Sequence, residues 1–399
     1  MRIGVGICNF NRRRLLAPVV SAVLSQGSDV SRVLVVDNAS TDGSIDALST
    51  IADGRLRILK LDENRGGAGG FRAASCALLE EPGLEALALV DSDCFLARGC
   101  LSTLAERLIE SAGVVGPKVL YAERRNVIQE VGGEVDWNRA SLVHRYRGHD
   151  EASDQAVTAF EEVDFVSSCA LLARREVFES VGHFRSEYFI YFDDVEWCLR
   201  AGAAGFKVQA AGEARALHHG GSLRKQSNLP TYYAWRNRVH CFLEHAPDRD
   251  AMREVLLGEV AQAVATCRVF SQRRCAEVIY RATRDGLEGL TGRCRLSQDE
   301  LRLDSPGACA PSPPPGRPLH FVDHLFESEI PKADAGIVIQ DRFGKSGTLP
   351  WIESVRSQYE AQKCRVICEL TGVRFGKRRV PASDRSITDG NTSTDAERS

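Results

Sequence analysis

Leu87-Ala88-Leu89-Val90-Asp91-Ser92-Asp93 is the stretch on which the fold turns. An apolar run that ends in two carboxylates, one residue apart, reads as a short buried strand with oxygen donors at its carboxyl end. Hard divalent cations such as Mg²⁺ or Mn²⁺ take such donors, usually one or two carboxylates together with substrate phosphates. Taken alone, the triplet also fits an ordinary turn after a strand, because Asp favours turns. The surrounding chain decides between the two.

Working outward, apolar runs at Ile3–Ile7, Val33–Val36 and Leu56–Leu61 read as further strands. Amphipathic stretches at Arg14–Ser25, Ile45–Ile51, Ala73–Glu81 and Leu101–Ser111 read as the helices between and after them. Strands alternating with helices predict right-handed βαβ units and a mostly parallel α/β sheet, which binds ligands at the carboxyl ends of its strands. Those ends carry Asn9-Phe-Asn11, Asp37-Asn38, Asn64 and Asp91-Ser-Asp93, so polar groups gather along one rim. Residues 121–154 read as a polar excursion with short antiparallel strands. Val163–Leu172 returns to a strand pattern, Arg174–Ser180 and Asp193–Ala204 to helices, and Leu229–Leu290 is helical and rich in arginine.

Composition narrows the class. The 399 residues are 43% apolar and 26% charged with a formal charge of −3, which gives no electrostatic case for nucleic acid. No stretch approaches the roughly 18 to 20 apolar residues of a membrane span. Met1-Arg-Ile-Gly-Val-Gly-Ile reads as an immediate strand and not as a cleavable signal. Thirteen cysteines without a Cys-x-x-Cys pair argue for a reducing cytoplasm over a disulfide framework or a structural zinc site.

Several motifs bear on chemistry. Asp37-Asn-Ala-Ser-Thr-Asp42-Gly-Ser suits a turn and helix cap. Asn64-Arg-Gly-Gly-Ala-Gly-Gly-Phe71 is a poor helix start, and its glycines fit either close approach of backbone to a ligand or a flexible loop. Gly4-Val-Gly6 lacks the third glycine of a dinucleotide fingerprint and lies inside its strand, so that alternative falls behind. Phe189-Ile-Tyr-Phe-Asp193-Asp194-Val-Glu196-Trp197 places three carboxylates where an aromatic run meets a helix start. They compensate the helix dipole, or apolar surroundings and like charges raise one of them into the range of a general base. Leu217-His218-His219 adds a metal ligand if it meets the aspartate rim.

Together these motifs resemble glycosyltransferase family 2, and within it the bacterial rhamnosyl- and galactofuranosyltransferases. The resemblance rests on Cys8-Asn-Phe-Asn-Arg12, Asp37 to Asp42, Asn64 to Gly70, Asp91-Ser-Asp93, Phe192 to Arg200 and Leu217-His-His219 in order. Glu162 to Arg175 and Tyr232-Tyr-Ala-Trp-Arg-Asn-Arg238 extend the likeness to about residues 1–240. Ser168 and Arg185 depart from the family pattern, which often has Gly and Asp there. The resemblance implies an inverting GT-A enzyme that moves a sugar from a UDP- or dTDP-linked donor to a glycan or lipid-linked acceptor.

It implies Asp194 as the proton acceptor, with Asp193, Glu196 and Trp197 on the acceptor side. Asp91, Asp93 and His218 are implied to hold Mn²⁺ or Mg²⁺. Asn9, Asn11, Asp37, Asn64, Arg65, Gly67, Asp91 and Ser92 are implied to bind the nucleotide-sugar, with Asp37 on the imide of a pyrimidine. The expected organisation is an α/β GT-A domain over 1–222, a helical C-terminal extension over 223–303 and a Pro-rich linker over 304–318. A small α/β segment over 319–376 and a disordered tail over 377–399 follow. The arginines of the extension suit either a solvated helix face or an anionic bilayer at the cytoplasmic membrane face, and a homo-oligomer is a further expectation. The rival readings are a non-catalytic nucleotide-sugar-binding protein and a nucleotidyltransferase. The first would lack the base and metal set, and the second would want a Gly loop rich in Lys and Arg near the N-terminus.

Overall fold

The computed structural model describes residues 1–27, 29–110, 112–152, 160–220, 227–269 and 271–304, together with 361–363, 365–367 and 369–370. The expected linker, most of the small C-terminal segment and the tail lie outside the described residues. A ten-stranded sheet organises the rest. Strands β1 (Ile3–Asn9), β2 (Val30–Asp37), β3 (Leu56–Lys60) and β4 (Ala86–Asp91) run parallel in the order β3-β2-β1-β4. β5 (Cys94–Leu96) follows at once and later pairs with the last strand. β6 (Val114–Tyr121) and the antiparallel β7 (Arg124–Glu130) come next, followed by a separate hairpin of β8 (Gly133–Asp136) and β9 (Ser141–His144). β10 (Phe160–Glu162), β11 (Ala170–Arg174) and β12 (Val208–His218) complete the set. β11 slots antiparallel between β4 and β6, so β6 and its parallel neighbour β12 point the same way as the first four strands.

The sheet's inner strands β1, β2 and β4 are buried on both faces, as parallel strands covered by helices are. Period-two alternation divides each strand between them. Ile3, Val5, Ile7, Val33 and Val35 face helices α1 (Arg13–Leu24) and α3 (Cys100–Glu110). Leu34, Val36, Leu87 and Leu89 face α2 (Gly66–Leu79) and the residues around Phe178 and Trp197. On this second face, Cβ atoms at Gly4 and Gly6 would lie 2.7 Å from Leu84 Cδ1 and from Ala74 Cβ. These strand glycines let α2 lie close to β1; they do not cradle a phosphate.

Three local expectations change. Ile45–Ile51 is not a helix but a single 3₁₀ turn at Asp46–Leu48. The helix expected at Ala73 begins at Gly66, inside the glycine run. The strand expected over Val163–Leu172 is broken, with irregular backbone from Val163 to Cys169 before β11. That break turns the Ser168 N–H out of the ladder and toward Asp194.

Helices α4 (Arg175–Val181) and α5 (Asp193–Ala203) flank the sheet, and α6 (Leu229–His245), α7 (Arg249–Val269) and α8 (Arg273–Leu287) form the extension. The extension has its own apolar cluster around Tyr233, Trp235, Val260, Val264 and Ile279, which continues to Phe189 and Ile190. Residues 361–370 are helical where described, and Val366 and Leu370, four apart, both pack into this cluster. Several of the extension's arginines are paired with acids, Arg268 with Glu369, Arg274 with Asp299, Arg281 with Glu277 and Glu300, and Arg284 with Glu288. Among the described residues, no helix is long and apolar enough to cross a membrane.

Candidate active site

Sheet register brings the motif residues to one rim. Asn9 pairs with Asp37 across β1 and β2, and Cys8 pairs with Asp91 across β1 and β4. β12 returns beside β5 with His218 opposite Cys94, which sets the histidine next to the aspartates. His218 Nε2 lies 3.4 Å from Asp93 Oδ1 and 3.8 Å from Asp91 Oδ2. One donor atom from each of Asp91, Asp93 and His218 falls within 4.8 Å of the others, a set of oxygens and nitrogen that suits Mn²⁺ or Mg²⁺. His218 Nδ1 donates to Gln129 Oε1 at 3.1 Å, which turns Nε2 toward the carboxylates. His219 instead faces Glu123 at 3.4 Å and lies edge-on to Phe95. Of the two histidines, His218 alone joins the aspartates.

The electrostatics of this cluster are strongly coupled. Burial resists ionisation of Asp93, but the hydrogen bond and charge of His218, with Arg12 Nε at 3.2 Å, outweigh it and hold the carboxyl at about 2. Burial likewise disfavours imidazolium at His218, and Asp93 overcomes that to raise it to about 9. Asp91 is pushed up to about 7 by desolvation and by the charge of Asp93. The negative oxygens of the cluster are thus balanced by His218 and Arg12, and a metal ion held by His218 Nε2 would displace the proton there.

Beside it lies a polar shelf. Asn9 is fully buried and its Nδ2 donates to Ser40 Oγ at 3.1 Å and Asp37 Oδ1 at 3.3 Å, while its Oδ1 has no partner. Asn11, at φ 51°, accepts the Thr41 N–H on Oδ1 at 2.8 Å. Asn38, which sequence reasoning passed over, ties the shelf together. Its Nδ2 donates to Gly66 O at 2.7 Å and its Oδ1 accepts the Arg65 N–H at 2.9 Å. Asn64 Oδ1 accepts the Gly66 N–H at 2.8 Å, so its side chain caps the glycine run. Arg65 is exposed and reaches Glu63 at 3.7 Å, and Ser92 is buried between the two aspartates. Phe10, between Asn9 and Asn11, is 40% exposed, one of four large apolar side chains so exposed among the described residues.

The glycine run owes its composition to packing. Gly66 has φ +73°, and a Cβ there would stand 2.0 Å from the Phe189 carbonyl oxygen. At Gly70 a Cβ would stand 2.1 Å from Cys8 Sγ, whereas at Gly67 it would meet nothing within 4 Å. Neither a ligand nor loop flexibility is needed to explain Gly66 and Gly70, although Gly67 does face open space. Gly66→Ala combines backbone strain with overpacking and is expected to cost about 2–5 kcal/mol. Gly67→Ala is expected to be neutral or to stabilise by up to about 1 kcal/mol. Urea unfolding of the two variants checks the contrast.

Phe189 belongs to the segment that delivers Asp193 and Asp194. Its backbone (φ 65°, ψ −58°) makes a γ-turn closed by Ile190 N–H to Tyr188 O at 2.8 Å. Tyr191 and Phe192 also have positive φ, 66° and 65°. Such residues cost on the order of 1–3 kcal/mol each and persist only where their surroundings impose them. Helix α5 starts straight afterwards. Asp194 is half-buried; its Oδ2 accepts the Ser168 N–H at 3.0 Å and its Oδ1 the Val195 N–H at 2.9 Å. The next residue, Cys169, accepts the Asp91 N–H on its carbonyl at 3.0 Å, so adjacent residues tie Asp194 and Asp91 together. Burial lifts Asp194 to about 6 against its two N–H donors, with Glu130 adding to the rise. Asp193 is more buried and is raised further, by desolvation and by Asp194.

Glu196 and Trp197 point elsewhere. Glu196 is fully buried and paired with Arg200 at 2.6 Å, Arg185 at 3.3 Å and His245 at 3.7 Å. Trp197 has no exposed surface, lies between Phe178 and Phe184 and donates Nε1–H to Gly182 O at 2.9 Å. Both anchor α5 from behind. The buried Glu130 contributes in a similar way, with Oε2 2.6 Å from His144 Nδ1. Burial opposes its ionisation, but His144 holds it at about 2, below the ordinary 4.3 or so for glutamate. Because this folded-state value is depressed, the pair stabilises the protein above about pH 4 and is lost as pH falls toward 2. Thermal unfolding between pH 2 and 5 is expected to fall less steeply in Glu130→Gln than in the parent.

Residues 4–182 match the family described as Glycosyl transferase family 2. Over 279 residues the chain is 25% identical to the dTDP-rhamnosyl transferase RfbF of Shigella flexneri, covering 66% of this chain and 89% of that protein. A stretch of 70 residues, 18% of this chain, is 36% identical to the O-antigen biosynthesis protein RfbC of Myxococcus xanthus and spans 6% of that relative's length. A crystal structure of GalNAc-T7 with UDP, GalNAc and Mn²⁺ superposes with a TM-score of 0.50 at 14% identity, over 66% of this chain and 51% of that one. At that identity the likeness is one of fold.

Proposed function

We propose that this chain, whose residues 4–182 match glycosyl transferase family 2, is an inverting, metal-dependent enzyme. In this reading it transfers a sugar from a dTDP- or UDP-linked donor to a sugar hydroxyl in surface-polysaccharide assembly. One observation carries the reading. Asp91, Asp93 and His218 converge on the rim to which Asp194 is tied through Ser168 and Cys169. The dTDP-rhamnosyl transferase among the relatives favours rhamnose as the sugar, with galactofuranose second on the resemblance to the bacterial enzymes.

Each residue takes a role from its place. Asp91, Asp93 and His218 would hold Mn²⁺ or Mg²⁺, which when bound neutralises charge on the departing diphosphate. Arg12, already paired with Asp93, adds positive charge on the same side. Asp37 would accept the imide N–H of a pyrimidine, with the buried Asn9 holding its carboxylate from behind. Phe10 offers its exposed ring for stacking against the base. Asn11, Asn64, Arg65, Gly67 and Ser92 shape the shelf around ribose and phosphates. Asp194, half-buried, accepts the proton of the incoming hydroxyl, and the Ser168 N–H holds its Oδ2 in place while Oδ1 turns to α5. Asp193 sits behind it, and its like charge favours a single ionised carboxylate in the pair.

A panel of dTDP- and UDP-sugars, each with and without Mn²⁺, tests the reading through thermal stabilisation and release of nucleoside diphosphate. Metal-dependent stabilisation by dTDP-rhamnose or a UDP-sugar, with turnover once acceptor is added, is the expected result. Indifference of the protein to every nucleotide-sugar and to the metal would refute it.

A further inference from the structure

The segment Tyr232-Tyr-Ala-Trp-Arg-Asn-Arg238 lies outside the matched family region and takes no part in the chemistry above, yet its side chains reach the loop that delivers the catalytic carboxylates. Asn237, fully buried on α6, turns its Nδ2 to the carbonyl oxygens of Tyr188, Ile190 and Tyr191, each 2.8 Å away. Its Oδ1 accepts Arg236 Nε at 2.9 Å, which fixes the amide the right way round. Arg236, also buried, donates Nη2 to Tyr188 O at 3.1 Å and Glu187 O at 3.3 Å, and Nη1 to Gly292 O at 2.6 Å. On the far side, Phe189 O accepts the Ala68 N–H at 3.2 Å and the Phe189 ring stacks on Tyr233 at 4.9 Å.

These contacts fall on the carbonyls that positive φ at Phe189 and Tyr191 turns inward. Buried carbonyls need donors, and the two N–H groups of one amide, one of them shared, serve three carbonyls where an apolar side chain would serve none. We propose that Asn237, oriented by Arg236, is a positioning residue: it imposes the strained 188–192 loop and so sets Asp193 and Asp194 against the metal-binding rim. On this account the helical extension completes the active site, and it does so without touching substrate. The proposal rests on Asp194 being the base, so that variant is measured alongside.

The experiment compares steady-state kinetics of Asn237→Ala, Tyr191→Gly, the double variant and Asp194→Asn in the full chain, per folded molecule by circular dichroism. Asn237→Ala is expected to lose kcat on the order of 10²-fold with donor KM changed by no more than about threefold, as misplacement of a reacting group predicts. Glycine at 191 accepts positive φ without strain, so the double variant should recover at least about tenfold of that loss. A purely structural role would lower the folded fraction or the melting temperature and leave kcat per folded molecule and its rescue untouched. Wild-type kcat in Asn237→Ala beside an inactive Asp194→Asn would overturn the clamp alone. An active Asp194→Asn would remove the base assignment and the clamp with it. If Asn237→Ala does not fold, Asn237→Ser, with one donor in place of two, should show a smaller loss of kcat, and wild-type kcat there would overturn the proposal.

Discussion

Asp194→Asn should abolish sugar transfer while leaving nucleotide binding intact. The substitution keeps the size of the side chain, but its one carbonyl oxygen can accept only one of the two backbone N–H groups that Asp194 accepts, and it removes the carboxylate that takes the hydroxyl proton. A general base contributes roughly 10²–10⁴-fold, so residual turnover should sit at or below about 1% of the parent. Turnover retained within about tenfold, or roughly 1.4 kcal/mol of barrier, would mean that another group takes the proton. The parent should also show the titration of this base. Burial raises Asp194 to about 6, so the carboxylate is mostly ionised above that pH and protonated below it. The rate should therefore fall about tenfold per pH unit on the acid side of about 6 and level off above it, and the limb should vanish in the residual activity of the variant.

The second large effect is expected at Asp93. Asp93→Ala removes one of the two carboxylates that face His218, the one that also pairs with Arg12. Donor affinity in the presence of Mn²⁺ should weaken by at least about tenfold, or 1.4 kcal/mol. Chelation of the metal from the parent should weaken donor binding by a similar factor, and chelation from the variant should add little, because both act on one interaction. Calorimetric titration of donor with and without Mn²⁺ into both proteins gives all four affinities. Full additivity of the two losses would show that Asp93 acts apart from the metal.

Much of this was legible along the chain. The parallel first half followed from alternating runs, because each of β1, β2 and β4 carries enough apolar residues to bury both faces. Asp91, Asp93 and His218 were legible as types and positions, and their convergence needed only the strand ends to share a rim. The Gly66–Gly70 run was misjudged for a physical reason. Its demand comes from Phe189 and Cys8, residues far along the chain that pack against it, and no local pattern records such a contact. Glu196 and Trp197 illustrate the same limit. A helix start rich in acids looks alike whether a carboxylate faces a cleft or faces Arg200, and only packing shows that α5 turns Asp194 outward and Glu196 inward. Gln129 left no mark in the sequence beyond its identity, and Asn38 and Asn237 lay inside motifs whose pattern did not disclose their part, since each works by orienting a neighbour.

The convergence of β4 and β12 on a shared ion is open to direct spectroscopic test. Pulsed electron paramagnetic resonance of Mn²⁺ bound to the full chain with UDP or dTDP should show ³¹P coupling from the diphosphate and ¹⁴N coupling from an imidazole. The ¹⁴N coupling should disappear in His218→Ala and persist in His219→Ala. A spectrum without nitrogen coupling, unchanged by Asp93→Ala and His218→Ala alike, would contradict the site.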